Sequence, residues 1–314
     1  MRVINMEKKE ITIIIPTYNN AAIIEVCLKS IREQTYSNFK VFIVDDGSTD
    51  NTKEVCQNYC DYDIRFKYYN QKNKGVSAAR NFGIDNCDSE FITFIDADDY
   101  VDKNHLQCLV TSFDMDIELS ACGLIYEDGK QSEMKSSSKE KLYYSKSTVE
   151  ASFERFGMQG IVTNKLFKFE IIKKNNIRFS EDIKKFEDHL FCIEYMLHVN
   201  QSFYTGKLTY HYVKHQNSAL QKSVGINITE DMRAYNRLDQ YDLSQQVISL
   251  IGITKNNIAI NVFVNSIDKD NKRDAFNYLK MNYKFKDLLS SYSLKNFLKK
   301  TTIYLLIKTS LVGN

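Results

Sequence analysis

The chain lacks the features that mark several large classes of protein. Among its 314 residues there is one proline, no tryptophan and only five histidines, and the formal net charge is +2. A charge this close to zero supplies no general attraction to nucleic acid. The seven cysteines are odd in number, and no second pair or nearby histidine completes a metal site around Cys56 and Cys60. We therefore expect reduced thiols, as in a cytosolic protein.

Long apolar segments are also scarce. Residues 1–10 are too short and too polar for a signal peptide, and no stretch reaches the apolar length that a membrane-spanning helix needs. Hydrophobic residues nevertheless make up 43% of the chain, which is enough for a sizeable core. The expected location is the cytoplasm, either free or peripheral on the inner face of the cell membrane.

The first hundred residues alternate strand and helix patterns. Ile11–Ile15 and Val41–Val44 are continuous apolar runs, typical of strands that are buried on both faces. A helical stripe follows the first run, and Asn51–Glu54 resembles a capping box that opens a second helix. The alternation predicts an α/β fold, a mostly parallel sheet with helices on both faces. We expect it to occupy residues 1–220, followed by a mainly helical region over residues 221–314.

Three polar clusters stand where the predicted strands end. They are Thr17–Asn19 after the first strand, Asp45–Asp50 after the second and Asp96–Asp99 after the fourth, which is Phe91–Ile95. In open α/β sheets the ligand lies beyond the carboxyl ends of the strands. The three clusters are therefore expected to gather at one edge of the sheet and form a site.

The third cluster sets like charges side by side, at Asp96, Asp98 and Asp99. Carboxylates this close repel one another, so either solvent and loop geometry weaken the repulsion or a cation belongs there. Mg²⁺ or Mn²⁺ takes oxygen ligands and shares its shell with substrate phosphates, which suits an open site. An acidic helix start, capped by Asp99 or Asp102, would explain the same residues without a metal.

The other clusters also allow two interpretations each. Asp45 or Asp46 could accept a hydrogen bond from a base such as uracil, although a turn with helix capping explains most of their neighbours. Lys74 and Arg80 bracket a helix start of small residues, which favours anions. Arg80 could instead hold an aspartate of the acidic cluster in place, or both cations could be ordinary surface charges.

Four motifs together resemble a known family. They are IPTYNN (residues 15–20), VDDGSTDNT (44–52), NKGVSAARN (73–81) and FIDADD (94–99), in the order and spacing of glycosyltransferase family 2, whose members have the GT-A fold. The resemblance is close over residues 11–110 and looser to about residue 220. It implies an inverting enzyme that moves a hexose or N-acetylhexosamine from a UDP-sugar to a saccharide hydroxyl in bacterial cell-surface polysaccharide synthesis, such as that of capsule.

The resemblance also implies roles for individual residues on the donor side. Pro16 and Tyr18 would line the uracil and ribose pocket, and Asp46 would accept from the uracil N3–H. Lys74 would approach the nucleotide from the third loop, and Arg80 belongs to the same nucleotide-sugar site.

The metal site follows from the same resemblance. Asp96 would contact the ribose or position the site, and Asp98 would ligate Mn²⁺ or Mg²⁺. The segment Tyr210–Ser218 resembles the aromatic and basic segment that closes such catalytic domains. Within it, His211 is a candidate for a further metal ligand, although a hydrogen-bonded strand histidine is the simpler interpretation.

The acceptor side is marked by Glu187 and Asp188, which resemble the family's E-D-x-x-F pattern. The resemblance implies that Asp188 is the general base, and Glu187 completes the nucleotide-sugar site. A carboxylate at a helix N-terminus is kept ionised by the helix dipole, so it can take a proton at neutral pH. Plain N-capping by Asp188 is the competing interpretation.

The C-terminal stretch is basic and apolar. Residues 271–314 carry nine Lys/Arg and two Asp, a local net charge of +7, and apolar side chains mix with Lys299, Lys300 and Lys308. This composition suits an amphipathic helix on an anionic membrane, which would match a lipid-linked acceptor. It equally suits a helix packed on its own protein or on a second subunit of a homodimer.

Three other functions compete with transfer by inversion. A non-catalytic GT-A-like subunit of a polysaccharide-synthesis complex would keep the fold and lose turnover. A phosphatase with an aspartate nucleophile should carry its acidic pair after the first strand, whereas this pair follows the fourth. A retaining transferase is the third alternative, and the presence of Asp188 as a candidate base does not support it.

Overall fold

The structure is a computed structural model that describes residues 9–127, 134–214, 227–283 and 300–308. These residues form two compact units. The first comprises residues up to 182 and residues 187–215, and the second comprises residues 183–186 and those from 216 onward. The predicted domain boundary at residue 220 lies outside the described residues, as do residues 215–218 of the predicted closing segment.

The first unit is an α/β structure built on one mixed sheet, which confirms the predicted fold class. In chain order its elements are β1 (Ile11–Thr17), α1 (Ile24–Arg32), β2 (Phe39–Asp45), α2 (Thr52–Tyr62), β3 (Phe66–Asn70), α3 (Val76–Asp85), β4 (Phe91–Phe94), β5 (Tyr100–Val101), α4 (His105–Thr111), β6 (Leu119–Glu127), β7 (Met134–Lys135), β8 (Lys141–Tyr144), α5 (Lys146–Ala151), β9 (Lys165–Lys168), α6 (Phe169–Lys174), α7 (Glu187–Met196) and β10 (Gln201–Val213).

The strand order is β3-β2-β1-β4-β9-β6-β10-β5, with β7 beside β6 and β8 beside β10. The four strands β3, β2, β1 and β4 are mutually parallel, as the sequence alternation predicts. Strand β9 runs antiparallel to both β4 and β6, and it joins that parallel half to the parallel pair β6 and β10. Strands from residue 119 onward therefore extend the parallel half formed by β3, β2, β1 and β4 into a single sheet.

The core of this unit forms where the apolar runs meet the helical stripes. Every side chain of β1 is buried, and α1 buries the stripe Ile24, Cys27, Leu28 and Ile31. Helix α3 approaches β1 so closely that a Cβ at Gly83 would lie 2.5 Å from Ile14 Cδ1. A glycine there lets the second half of α3 pack directly on the middle of β1.

The predicted capping box is wrong in its details. Asn51 makes no side-chain cap hydrogen bond. Instead Asp50 Oδ1 accepts from the Thr52 backbone N–H at 3.0 Å, and Asp50 Oδ2 accepts from the Ala21 N–H at 3.1 Å. The same carboxylate thus opens α2 and ties the loop after β1 to the loop after β2, which a local motif does not reveal.

The second unit is helical in its described residues. The segment Ile183–Phe186 lies against the first of its helices, where Lys185 Nζ donates to Asp231 Oδ1 at 2.6 Å. Its elements are α8 (Ile228–Arg237), α9 (Gln245–Asn265), α10 (Lys269–Asn282) and a helical stretch over residues 300–308.

Helix α9 differs from the expectation that no stretch has the length and apolarity of a spanning helix. It has 21 residues and a mean hydropathy of 1.5 over its most apolar window, enough to cross a membrane by length and composition. A core helix of a soluble protein meets the same test. Helix α9 packs against α8 and α10 and buries Val247, Ile251 and Val262 within this unit.

Candidate active site

The three predicted clusters meet at the carboxyl ends of β1, β2 and β4. Thr17 lies opposite Asp45 in the parallel register, and the Asp46 N–H donates to the Thr17 carbonyl at 2.8 Å. The Ile95 N–H donates to the Ile14 carbonyl at 3.1 Å, so the chain enters the acidic cluster beside β1. Because β1, β2 and β4 are parallel and in register, the loops that follow them lie at the same edge of the sheet, as expected.

Asp46 holds the loop that precedes α3. Its Oδ1 accepts from Gln71 Nε2 at 2.7 Å and from the Lys74 N–H at 2.8 Å, and its Oδ2 accepts from the Gly75 N–H at 2.7 Å. Gly75 has a φ of +95°, a conformation that other residues rarely adopt. A carboxylate offers about four acceptor positions, so these three bonds leave about one for a ligand N–H.

The other donor-side residues differ in exposure. Tyr18 is half-exposed at the end of β1, and Lys74 is exposed on the loop that Asp46 holds. Pro16 is buried within β1. Asp45 is buried at the end of β2, where it accepts from the Ser48 N–H at 2.8 Å and from the Tyr68 hydroxyl at 2.6 Å. Asp45 therefore supports the strand end and the turn that follows it, and the choice of Asp46 as the ligand-binding carboxylate stays a prediction.

The acidic cluster combines three carboxylates with three different surroundings. Oxygen atoms of Asp96, Asp98 and Asp99 lie within 4.8 Å of one another. Asp99 is buried and accepts from the Tyr210 hydroxyl at 2.6 Å and from the Val213 N–H at 2.8 Å. Burial, reinforced by the charge of Asp96, raises the pKa of Asp99 to about 8. Asp99 is thus an anchor for the end of β10 rather than the helix cap that the sequence allowed.

This cluster is an oxygen-donor set that fits a hard divalent cation. Asp96 and Asp98 are only partly buried, so their carboxylates border the site. Two carboxylates are too few for a closed cage and leave room for waters and phosphate oxygens, as Mg²⁺ and Mn²⁺ prefer.

His211 contacts two carboxylates that do not belong to the acidic cluster. Its Nδ1 lies 2.7 Å from Glu127 Oε1, its Nε2 lies 3.1 Å from Asp102 Oδ1, and its ring stacks on Tyr100 at 4.2 Å. Among the described residues, the group of potential metal ligands within 4.8 Å comprises the three aspartates and does not include His211. Metal binding by His211 stays a prediction, and it would require one of these two bonds to break.

Arg80 connects the acidic cluster to the start of α7. Its guanidinium is buried, with Nη2 at 2.9 Å from Asp96 Oδ1 and Nη1 at 3.4 Å from Glu187 Oε1. The ring of Phe179 lies beneath it at 5.2 Å. Burial alone would lower the pKa of Arg80, but the charges of Asp96, Glu187 and Asp188 raise it overall. This single cation therefore draws together carboxylates that are 91 residues apart in sequence, from Asp96 to Glu187.

The comparison with known protein families decides the classification. The sequence model described as Glycosyl transferase family 2 matches residues 12–175, which is just over half of the chain and includes all four donor-side motifs. The chain belongs to glycosyltransferase family 2. This confirms the resemblance seen in the motifs, and the protein is a glycosyltransferase.

Its relatives are bacterial glycosyltransferases. EpsH of Bacillus subtilis is 28% identical over 251 residues, which cover 75% of this chain and 73% of EpsH. GlyA of Streptococcus pneumoniae is 31% identical over 215 residues, which cover 63% of this chain and 30% of GlyA. A crystal structure of Staphylococcus aureus TarS (residues 1–349), solved with UDP-GlcNAc, superposes with a TM-score of 0.71 at 19% identity and covers 97% of this chain and 92% of that chain. That similarity confirms the GT-A fold.

In this glycosyltransferase Glu187 and Asp188, which the sequence predicts to lie on the acceptor side, begin α7. Burial, reinforced by the charge of Asp188 and opposed by Arg80, raises the pKa of Glu187 to about 7. Burial also raises the pKa of Asp188, while Arg80 and the His189 N–H, which donates to Asp188 Oδ1 at 2.7 Å, oppose the rise. A carboxylate whose pKa is raised takes up a proton more strongly than an ordinary aspartate. Burial shifts the pKa of Asp188 upward, which is opposite in direction to the effect of the helix dipole that the sequence suggested.

Several supporting residues gave no signal in the sequence. Lys165 is fully buried in β9, where its Nζ donates to the carbonyls of Met158 and Ile161 and to Asn164 Oδ1. Burial lowers the pKa of Lys165 to about 8. No local pattern identified it, because its partners lie in residues 158–164, which form neither a helix nor a strand. Gln71 and Tyr210 likewise support Asp46 and Asp99 from distant positions.

Proposed function

We propose that this glycosyltransferase moves a hexose or N-acetylhexosamine from a UDP-sugar to a hydroxyl of a saccharide acceptor, with inversion at the anomeric carbon. The observation that carries the proposal is the contact of one buried guanidinium, Arg80, with both Asp96 and Glu187. It joins the nucleotide-sugar edge to the start of the helix that bears Asp188. The likeness to TarS, which was solved with UDP-GlcNAc, supports a UDP-linked donor.

The donor would lie on the edge formed by β1, β2 and β4. Asp46 keeps about one acceptor position for the uracil N3–H after its three bonds to the loop before α3. Tyr18 supplies a half-exposed ring beside β1, with Pro16 shaping the strand end beneath it. Lys74 is exposed on the held loop, where a cation favours the diphosphate.

A divalent cation would be held by Asp98 with Asp96, and we propose Mn²⁺ or Mg²⁺. When bound, such an ion neutralises negative charge that develops on the departing diphosphate. Arg80 keeps Asp96 in place by its 2.9 Å contact, and Asp99 fixes the turn through Tyr210 and Val213. These bonds hold the carboxylates of the turn at short separation without help from a ligand.

The chemical step is a single displacement. Asp188 takes the proton from the acceptor hydroxyl, and the acceptor oxygen forms a bond to the anomeric carbon as the bond from that carbon to the diphosphate oxygen breaks. The electron pair of the broken bond leaves with UDP. One displacement inverts the centre, so an α-linked donor gives a β-glycoside. General-base assistance of this kind contributes about 10²–10⁴-fold to the rate.

A donor panel tests the proposal. We expect one UDP-hexose or UDP-N-acetylhexosamine to release UDP faster when membrane extract supplies acceptor, and EDTA to stop this release until Mn²⁺ or Mg²⁺ is restored. The control is the same panel with GDP-linked sugars. Binding of UDP without turnover on any acceptor would favour the non-catalytic subunit, and full turnover in excess chelator would remove the metal from the proposal.

We further propose that the protein works at the inner face of the cell membrane on a lipid-linked acceptor. In the described helical stretch over residues 300–308, Ile303 and Ile307 are buried, whereas Leu305 and Leu306 are exposed beside Lys308. Exposed leucines next to a cation suit an anionic membrane surface. Residues 284–299 and 309–314 of the predicted segment, which include Phe297 and Lys299, lie outside the described residues.

A substitution that spares the buried side of this stretch tests the membrane contact. We expect Leu305→Glu with Leu306→Glu to move the protein from membrane to soluble fractions, because buried apolar area and attraction to anionic lipid are both lost. Ile64→Glu, at a residue that is 93% exposed on the first unit, is the matched control. An unchanged distribution would favour the packing interpretation, and a loss of dimer in light scattering would assign the leucines to a second copy.

A further inference from the structure

The first unit contains a cavity of about 410 Å³ that shares no lining residue with the candidate active site. Its size falls in the range of about 300–1,000 Å³ that small-molecule sites occupy. The cavity is formed by the residues around β8 and by the segment that follows α5. We call it the Phe156 pocket, after the one aromatic lining residue that is more than one-third exposed, and its chemistry differs from that of the nucleotide-sugar edge.

The charged residues of the Phe156 pocket balance one another. The lining residues include two lysines, Lys139 and Lys141, and two glutamates, Glu140 and Glu154. Two of each sign give no net preference for an anion such as a phosphate or a nucleotide, or for a cation. The pocket therefore suits a neutral ligand that offers both hydrogen-bond donors and acceptors.

One carboxylate of the pocket is locked in position. Glu154 Oε1 accepts from Lys141 Nζ at 2.8 Å, and Glu154 Oε2 accepts from the Tyr143 hydroxyl at 2.7 Å. Each carboxylate oxygen keeps a further lone pair, and the ammonium keeps further N–H groups. Because these groups are already ordered, a ligand that bonds to them loses little binding energy to their immobilisation.

The three aromatic side chains that line the pocket differ in their exposure to solvent. Tyr143 and Tyr204 are buried, with exposed fractions of 4% and 1%, whereas Phe156 is 36% exposed. The Phe156 main chain is held by the Ser137 N–H, which donates to its carbonyl at 2.6 Å. The Arg155 guanidinium lies over one face of the Phe156 ring, 5.0 Å from its centroid, so a ligand would stack on the opposite face. A partly exposed ring beside fixed donors and acceptors matches a pyranose, which presents an apolar C–H face and a rim of hydroxyls that both donate and accept.

The segment that forms this wall also contacts the residue next to the proposed base. At one end Ser152 Oγ lies 3.0 Å from His189 Nε2, and at the other a Cβ at Gly160 would lie 2.1 Å from His189 Cδ2. Four residues of extended chain span at most about 14 Å, so Phe156 lies within that distance of Gly160. An acceptor whose reacting hydroxyl is at Asp188 could therefore reach the Phe156 pocket with an oligosaccharide chain.

We propose that the Phe156 pocket binds a neutral hexose or N-acetylhexosamine unit of the acceptor chain, remote from the hydroxyl that reacts. The proposal rests on the proposed transfer to a saccharide. It means that the affinity for an acceptor depends on the length of its sugar chain as well as on its terminal sugar. Longer acceptors then bind more tightly than short ones with the same terminal sugar, while the chemical step stays the same.

Saccharide binding to the full-length protein tests the pocket directly. The probes are short malto-, cello-, manno- and chito-oligosaccharides, observed by saturation-transfer NMR and titrated with and without UDP. We expect at least one probe to bind wild type in both conditions and Phe156→Ala to weaken its binding about tenfold or more, since the ring supplies the apolar contact. Tyr144→Ala is the matched control, an exposed tyrosine on β8 that does not line the cavity.

A second variant keeps the test decisive if Phe156→Ala fails to fold. Glu154→Gln preserves the shape of the side chain and weakens its bond to Lys141, so the same probe should bind less tightly at an unchanged thermal midpoint. Absence of any probe binding to wild type, or unchanged binding by both variants, would overturn the pocket. Failure of UDP-sugar turnover with saccharide binding intact would instead contradict the proposed function, so the two failures are distinguishable.

Discussion

The Asp188→Asn protein is expected to transfer sugar about 10²–10⁴-fold more slowly than wild type. Asparagine keeps the side-chain oxygen that accepts from the His189 N–H at 2.7 Å, so α7 should begin as before. It cannot take the proton of the acceptor hydroxyl, which is the task proposed for Asp188. The turnover number should therefore fall while UDP affinity stays close to that of wild type, as measured by initial rates and by titration calorimetry.

Asp61→Asn is the control for this substitution, because Asp61 is an exposed aspartate of α2 whose side chain accepts from Gln57 Nε2 in the same helix. It should change neither the turnover number nor UDP binding. Transfer by Asp188→Asn at near the wild-type rate would remove Asp188 from the role of base. A loss of UDP binding together with transfer would mean that the substitution disturbs the fold of the site.

The pH profile carries independent information about the same residue. Asp188 must be ionised to act, and burial raises its pKa above the usual aspartate range. Activity should therefore rise as pH increases through an acid limb that lies above an ordinary carboxyl titration. Glu187, with a pKa raised to about 7, titrates together with its neighbour, so the limb reports the pair rather than either residue alone.

The second large effect is expected from Arg80→Met. Removing one partner from a buried ion pair leaves the other charges uncompensated and costs about 3–5 kcal/mol of folding stability. Arg80 lowers the pKa of Glu187 and of Asp188. Without it both carboxyls hold their protons to higher pH, so the acid limb of transfer should move to higher pH. Urea unfolding and a pH–rate profile measure the two consequences.

Two further variants separate charge from packing at this position. Arg80→Lys keeps one positive charge but loses the planar fork that contacts both Asp96 and Glu187, so it should return the acid limb only part of the way toward wild type. Arg178→Met is the control, since it breaks an exposed pair with Asp85 and should cost no more than about 1 kcal/mol. An acid limb that does not move in Arg80→Met would contradict the proposed coupling.

Local sequence patterns predicted the parallel half of the fold well, because each signal lies within a few residues. Continuous apolar runs marked β1 and β2, and the spacing of Ile24, Cys27, Leu28 and Ile31 marked α1. The sequence also favours a third strand over residues 64–69, and this prediction was less accurate, since Ile64 is 93% exposed and β3 begins at Phe66. The antiparallel strand β9 gave no usable signal, because its pairing with β4 and β6 is set by tertiary contacts.

The sequence by itself determined the family, the order of the motifs and the edge of the sheet where they meet. It left Asp99 as part of either a cation site or a helix cap, it left Arg80 as either a ligand-binding or a supporting residue, and it predicted that a helix dipole keeps Asp188 ionised. Only the tertiary structure decided these points, because the partners lie far away along the chain. Arg80 and Glu187 are 107 residues apart, and Asp99 and Tyr210 are 111 apart. Burial and pairing of charges act through space, whereas motifs and periodicity record only neighbours along the chain.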